Sequence, residues 1–177
     1  MRQNSQNLML SGLCNTLTRL IRFAKTISIV FSSVLSLSAA VAPAQAQPTP
    51  AETSLLQALN LARAQDGAAP LRIDLRLEAA ARAKSRSMLR TGTFAHGNFQ
   101  RRLSSFRARG PYFGENLAWG VGANGSPAGI VQMWLASPSH RANLLRRTFQ
   151  RVGLGIAVGT FRGYGGTSVV TANFAGR

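Results

Sequence analysis

From Ala51 to Gln65, Leu55, Leu59 and Ala62 recur at i, i+4 and i+7, with Leu56 beside them. That spacing draws one apolar stripe along a helix, and Asp66-Gly67 ends it. Asp74 is suited to cap a second helix. On it Leu77, Ala80, Ala81, Lys84 and Met88 share one face, while Glu78, Arg82, Arg86 and Arg90 step along the other. The i+4 spacing gives one favourable pair, Glu78–Arg82, and the remainder is expected to be a basic stripe facing water. Thr91-Gly92 closes this helix and Phe94-Ala95-His96 follows in a turn. A third, shorter helix is predicted over Asn98 to Arg107, with Phe99, Leu103 and Phe106 inward; Gly110-Pro111 breaks the chain again.

The period then changes from helical to alternating. Tyr112 to Val121 predicts a strand with Glu115, Leu117 and Trp119 on one face and Asn116 and Ala118 on the other. After a flexible Gly122–Pro127 turn, a fourth helix is predicted from Pro127 to Ala136, with proline in its first turn. Ser137 to Arg141 is expected to be a loop, and Asn143-Leu144-Leu145 a short turn. Val152, Leu154, Ile156 and Val158 alternate with Gly153, Gly155, Ala157 and Gly159, so one face of this strand is bulky and the other nearly bare. A bare face lets a helix or a ligand approach closely. Gly163–Gly166 predicts a hairpin, with Ser168 to Phe174 returning. Helices first and hairpin-paired strands last point to an α+β layered domain with an antiparallel sheet.

Residues 1–46 read differently. Arg19, Arg22 and Lys25 precede an uncharged run from Ile27 to Val41, and Ala44-Gln45-Ala46 has a small-x-small form. This is the pattern of a signal peptide, with cleavage expected after Ala46 and a mature start at Gln47. The apolar run is short for a membrane span, which takes about 20 residues. Residues 47–51 form a Pro-rich linker and 52–177 the domain. The expected location is therefore secreted or periplasmic.

Charge sharpens this picture. The chain of 177 residues carries a formal charge of +16. Without the basic residues of 1–46 there remain 17 basic residues, all but Lys84 arginine, against five acidic ones. Such a surface attracts anionic cell-envelope polymers or lipid; an Arg-rich codon usage would give the same bias. Export argues against nucleic acid as the partner, and the Arg82–Arg90 stripe lacks interleaved aromatics. The single cysteine, Cys14, lies in the expected signal peptide. A disulfide framework and a thiol nucleophile are thereby excluded from the mature chain. Glu115 is the only acidic residue after Glu78, and the two histidines, His96 and His140, lie on either side of it. These three are the candidate floor of a site.

Five motifs now stand in order: Phe94-Ala95-His96; Arg102-Leu103; Gly114-Glu115-Asn116-Leu117-Ala118; Trp134-x-x-Ser137-Pro138-x-His140-Arg141-x-Asn143-Leu144-Leu145; and Phe149-x-x-Val152-Gly153-Leu154-Gly155. Together they resemble the CAP superfamily (cysteine-rich secretory, antigen-five and pathogenesis-related proteins) in its short bacterial, SCP-like form. Leu56-x-x-x-Asn60-x-x-Arg63 resembles the start of the family's first helix. The likeness spans about residues 52–175. It implies a three-layer α-β-α sandwich with a central antiparallel sheet, and a cleft holding two histidines and two acids. His96, Glu115 and His140 match three of those four. Leu135-Ala136-Ser137-Pro138-Ser139 holds no acid where the fourth belongs.

The candidate ligand cleft is His96, Glu115 and His140 with Asn116 and Arg141, in a chain expected to be a monomer. His96, His140 and Glu115 would be a fair set for Zn²⁺ with water in an open position. Glu115 is the one candidate catalytic group, and it cannot easily be both ligand and base. Ser137 and Ser139 lack a nucleophile-elbow context. The same trio could equally be a charge-assisted network pinning a strand to loops. The leading expectation is a secreted binding module rather than an enzyme, with an exported metal-assisted hydrolase of peptide or cell-wall bonds as the alternative.

Overall fold

The computed structural model describes residues 47–177; the expected signal peptide lies outside the described residues. The first helix, α1 (Pro50–Gln65), begins earlier than its apolar stripe suggests. Thr49 caps it, and Glu52 reaches back to the Thr49 amide at 2.8 Å in a capping box. The expected linker thus runs into the helix, because proline suits a first turn. Strand β1 (Arg72–Ile73) follows, and then α2 (Leu75–Thr91). Asp74 caps α2, and Gly92 ends it in the left-handed region at φ 68°.

Next come α3 (Phe99–Ser105), β2 (Phe113–Gly120), the short α4 (Gly122–Gly125), α5 (Pro127–Ala136) and α6 (Pro138–Leu145). The stretch expected as a loop and turn after Ala136 is therefore helical. Pro138 stands in its first turn, and Leu144 is fully buried against the core. Strands β3 (Phe149–Phe161) and β4 (Tyr164–Gly176) complete the fold.

The sheet order is β1-β3-β4-β2. β3, β4 and β2 are antiparallel, and the two-residue β1 adds a parallel edge that the sequence reading did not include. On one face lie α1, α5 and α6, sealed by Leu55, Leu59, Ile130, Trp134, Leu154 and Phe174. The other face takes α2, with Met88 against Leu117, Phe161 and Val169. Helices on both faces make the three-layer α-β-α arrangement.

The bare face of β3 is what brings α2 in. A Cβ on Gly153 would strike the backbone of Leu77 and Glu78, and one on Gly155 the backbone of Ala81 and Arg82. Backbone therefore lies on backbone with no side chain between. Ser85 spans the contact, donating to the Gly155 carbonyl at 2.8 Å.

Two charged clusters lie inside. Arg63 is fully buried. It donates to the carbonyls of Ala69, Leu144, Arg146 and Phe149 at 2.7–3.2 Å. Burial pulls its pKa down, and Asp66 pulls it back in part. Glu78 and Arg82 do pair, at 3.4 Å, but they do not face water as expected. They turn inward with Glu52, leaving Arg86 and Arg90 as the exposed part of the stripe. Burial raises the Glu78 carboxyl above its ordinary range, against the pull of Arg82. For Glu52 burial also pushes upward, but hydrogen bonds from Arg82 and Thr49 outweigh it and hold the carboxyl low. The two carboxyls thus bias stability oppositely. Glu78 favours acid, since its contribution is lost as pH rises through its raised folded pKa; Glu52 favours neutral pH, since its contribution is lost as pH falls through its lowered one.

Candidate functional site

Strand β2 is the far edge of the sheet, and its alternation separates the site into two halves. Glu115, Leu117 and Trp119 face α2 and α3; Asn116 and Ala118 face α5 and α6. The turn after α2 carries His96 to the first face. There its Nδ1 lies 2.8 Å from Glu115 Oε1. Arg102, on α3, donates to Glu115 Oε2 from one terminal nitrogen and to the His96 carbonyl, at 3.1 Å, from the other. Its guanidinium also stands 5.6 Å from the centre of the Phe99 ring. Glu115 is 6% exposed, so its charge is lodged between an imidazole and a guanidinium with little water. A charge-assisted network of this kind strengthens each of its bonds.

The second half is held from behind. Asn116, fully buried, donates to the His140 carbonyl at 2.9 Å. Asn143 donates to the Asn116 side chain at 3.0 Å and to the Glu115 carbonyl at 3.3 Å. Trp134 donates its indole N–H to the Leu117 carbonyl at 3.0 Å. Outward carbonyls of this edge strand are thereby capped by side chains of α5 and α6, which also fix where α6 presents His140. The His140 ring is pushed toward its neutral form, first by burial and then by the charge of His96. It makes no hydrogen bond to Glu115.

Between the halves lies an opening of about 280 Å³. Phe94, Leu117 and Trp119 wall it on one side, Met133 and Trp134 on the other, with Ser137 and His140 at its margin. Its body is apolar and its rim polar, the usual construction of a small-molecule site.

Of the residues expected in the cleft, the structure joins His96 directly to Glu115, places His140 at the margin of the opening, and makes Asn116 a tether rather than a lining group. Arg141 lies elsewhere. It points to Asp66 at 4.0 Å, beside Ala62 and Leu145; one helical position after His140, its side chain leaves on another face of α6. The arginine on Glu115 is Arg102. Tyr112 packs on Phe149, and Phe113 in the cluster of Leu77 and Leu103. Lys84 is a further addition. It stands close to Gly97, and burial, followed by the charge of Arg102, lowers its pKa while Glu115 opposes. Nothing in the spacing separates Arg102 from its neighbour Arg101. What does is the burial of Leu103, which sets the rotation of α3.

Among the described residues no three His, Cys, Asp or Glu side chains are grouped as a metal would require. Glu115 has both oxygens engaged. The set left to a metal is two imidazoles.

Residues 56–174 match the model of the cysteine-rich secretory protein family. The chain is 32% identical over 134 residues to the uncharacterized protein YkwD of Bacillus subtilis (strain 168), a match covering 67% of this chain and 51% of that one. The chain thus spans about half the length of that relative. It is similar to the solved structure of an extracellular SCP-domain protein from Bacillus anthracis, at 26% identity and a TM-score of 0.56, over 71% of this chain and 40% of that one. An outer surface protein of Borrelia burgdorferi shares the fold at 20% identity and a TM-score of 0.62, over 75% and 96% of the two chains.

Proposed function

The chain belongs to the cysteine-rich secretory protein family, and from that membership we propose that it is an extracellular binding module for a small amphipathic ligand. The ligand's apolar body would lie between Phe94, Trp119 and Met133, and its polar head would meet Ser137 and His140 at the margin. The extracellular placement draws support from the B. anthracis relative, an extracellular protein, and from the basic, apolar and small-residue order of residues 1–46.

The observation that carries a binding reading over a hydrolytic one is the state of Glu115. Both of its oxygens are engaged, by His96 and by Arg102. A general base must reach the proton it abstracts, and both oxygens of this carboxylate are already turned to His96 and to the positive charge of Arg102. The metal-assisted hydrolase remains the alternative reading, and it requires that network to open. Titration with dodecanoate, an amphipathic anion, tests the binding reading through tryptophan fluorescence. The wild type is expected to respond saturably, and Trp119→Ala to bind about tenfold more weakly, in line with the loss of a buried aromatic wall. A wild type that gives no saturable response overturns it.

Zn²⁺ at the same cleft is the second reading. His96 and His140 would supply imidazole nitrogens, and Glu115 would orient His96 through its Nδ1 bond, as carboxylates behind metal-bound histidines do. Two imidazoles completed by water hold zinc less firmly than the three protein ligands of catalytic sites. The expected result is a small Zn²⁺-dependent rise in melting temperature that His96→Ala abolishes; an unchanged melting temperature in the wild type removes the metal.

A further inference from the structure

At the edge of the sheet opposite β2, where β1 lies on β3, is a depression of about 490 Å³. Four arginines line it: Arg72, Arg147, Arg151 and Arg177, with Gln150 and Pro70 between them. Their placement is costly. Arg72 and Arg151 are direct cross-strand partners in the β1–β3 pair, and like charges so placed destabilise a sheet. Arg151 has a counter-charge, donating to Asp74 Oδ2 at 2.5 Å and to the carbonyls of Arg109 and Gly176. Arg72 and Arg147 have none. Arg147 is fastened by its two terminal nitrogens to the carbonyls of Gly67 and Asp66, both at 2.9 Å. Those bonds fix its position without neutralising it. Arg72 and Arg177 make no side-chain hydrogen bond or ion pair among the described residues. The nearby Asp66 carboxylate lies 4.0 Å from Arg141, outside the lining.

We infer that this depression is a binding site for a phosphate-bearing anion, separate from the β2 cleft. Two uncompensated guanidiniums, Arg72 and Arg147, line a space larger than one phosphate needs, with Arg151 and Arg177 beside them, which suits a diphosphate or a phosphodiester. Planar guanidinium forks match phosphate oxygens in pairs. Two of the arginines are held in place before the ligand arrives, which lowers the entropy lost on binding.

Calorimetry with inorganic pyrophosphate on the purified protein tests this. The wild type is expected to bind, more weakly as salt rises. Arg72→Gln combined with Arg177→Gln removes no internal contact and should weaken binding about tenfold. Arg86→Gln with Arg90→Gln removes the same charge from exposed positions on α2 and should leave affinity within about twofold. Equal weakening by both pairs would mean diffuse surface charge and overturn the site, as would no binding by the wild type. Vesicles of phosphatidylglycerol identify the source. Capture that pyrophosphate and the first double variant both relieve assigns the site to a lipid headgroup. Pyrophosphate binding without capture assigns it to a soluble phosphorylated molecule. Capture indifferent to both overturns it.

Discussion

Arg63→Met is expected to lower the free energy of unfolding by about 3–5 kcal/mol, because several buried carbonyls lose their donor at once. Arg63 is fully buried, yet its role is that of a clamp rather than of a core side chain. Its guanidinium gathers four carbonyls, from the stretch before β1, the end of α6, the turn after it and the start of β3. Methionine fills similar space and supplies no donor. Each carbonyl left dry costs about 1–3 kcal/mol, less wherever water can enter. Arg63→Lys should recover less than half, because one ammonium cannot span four acceptors in a plane. Urea denaturation checks this: the midpoint should fall with the slope unchanged. A loss under about 1 kcal/mol would show that the clamp does not hold those segments.

Glu115→Gln carries the second large effect, a loss of about 2–4 kcal/mol, because Arg102 is left largely buried without its counter-charge and the imidazole loses an anionic acceptor. With the amide oxygen kept on Arg102, the amide nitrogen would face His96 Nδ1 as a donor and force the imidazole into its other tautomer. His96, whose ring is more than half exposed, should then lose its fixed orientation. Long-range proton–nitrogen NMR of the imidazole reads this directly: a protected Nδ1–H in the wild type should vanish in the variant. If that signal persists and the stability is unchanged, the network does not organise the cleft. His140 is a useful internal reference, since its backbone is anchored by Asn116 rather than by Glu115.

Much of the fold was legible because it rests on period. The stripe Leu55, Leu59, Ala62 became the buried face of α1, and the alternation from Glu115 to Trp119 became the two faces of β2. The bare side of β3 was legible as a place of close approach, and α2 occupies it. What escaped was set by tertiary context. Arg82 reads as a surface arginine until Glu52 arrives from thirty residues away to bind it at 2.6 Å. β1 is two residues long and exists because β3 lies alongside. Pro138 and two serines read as a loop, while Leu144 draws the stretch into a helix.

The site divides the same way. His96, Glu115 and His140 were singled out by their scarcity and then by motif order, but which groups touch was a matter of three dimensions. Arg102 stood within a motif and Arg141 beside a histidine; only the rotation of α3 and α6 decides which of them meets the carboxylate. Lys84 falls on the inner face of α2 by its period, and the chain gives no sign that this face reaches the turn of His96.

The backbone-on-backbone seat of α2 at Gly153 and Gly155 also acts as a spacer gauge for the cleft. The helix leads through Gly92 into the turn bearing Phe94 and His96, so its height above the sheet decides how far that turn overhangs Trp119 and Glu115. One methyl group inserted under α2 would lift this overhang like a shim under a hinge. The aperture would widen although no residue lining it had changed, so the calibre of the cleft is written two strands away from its walls.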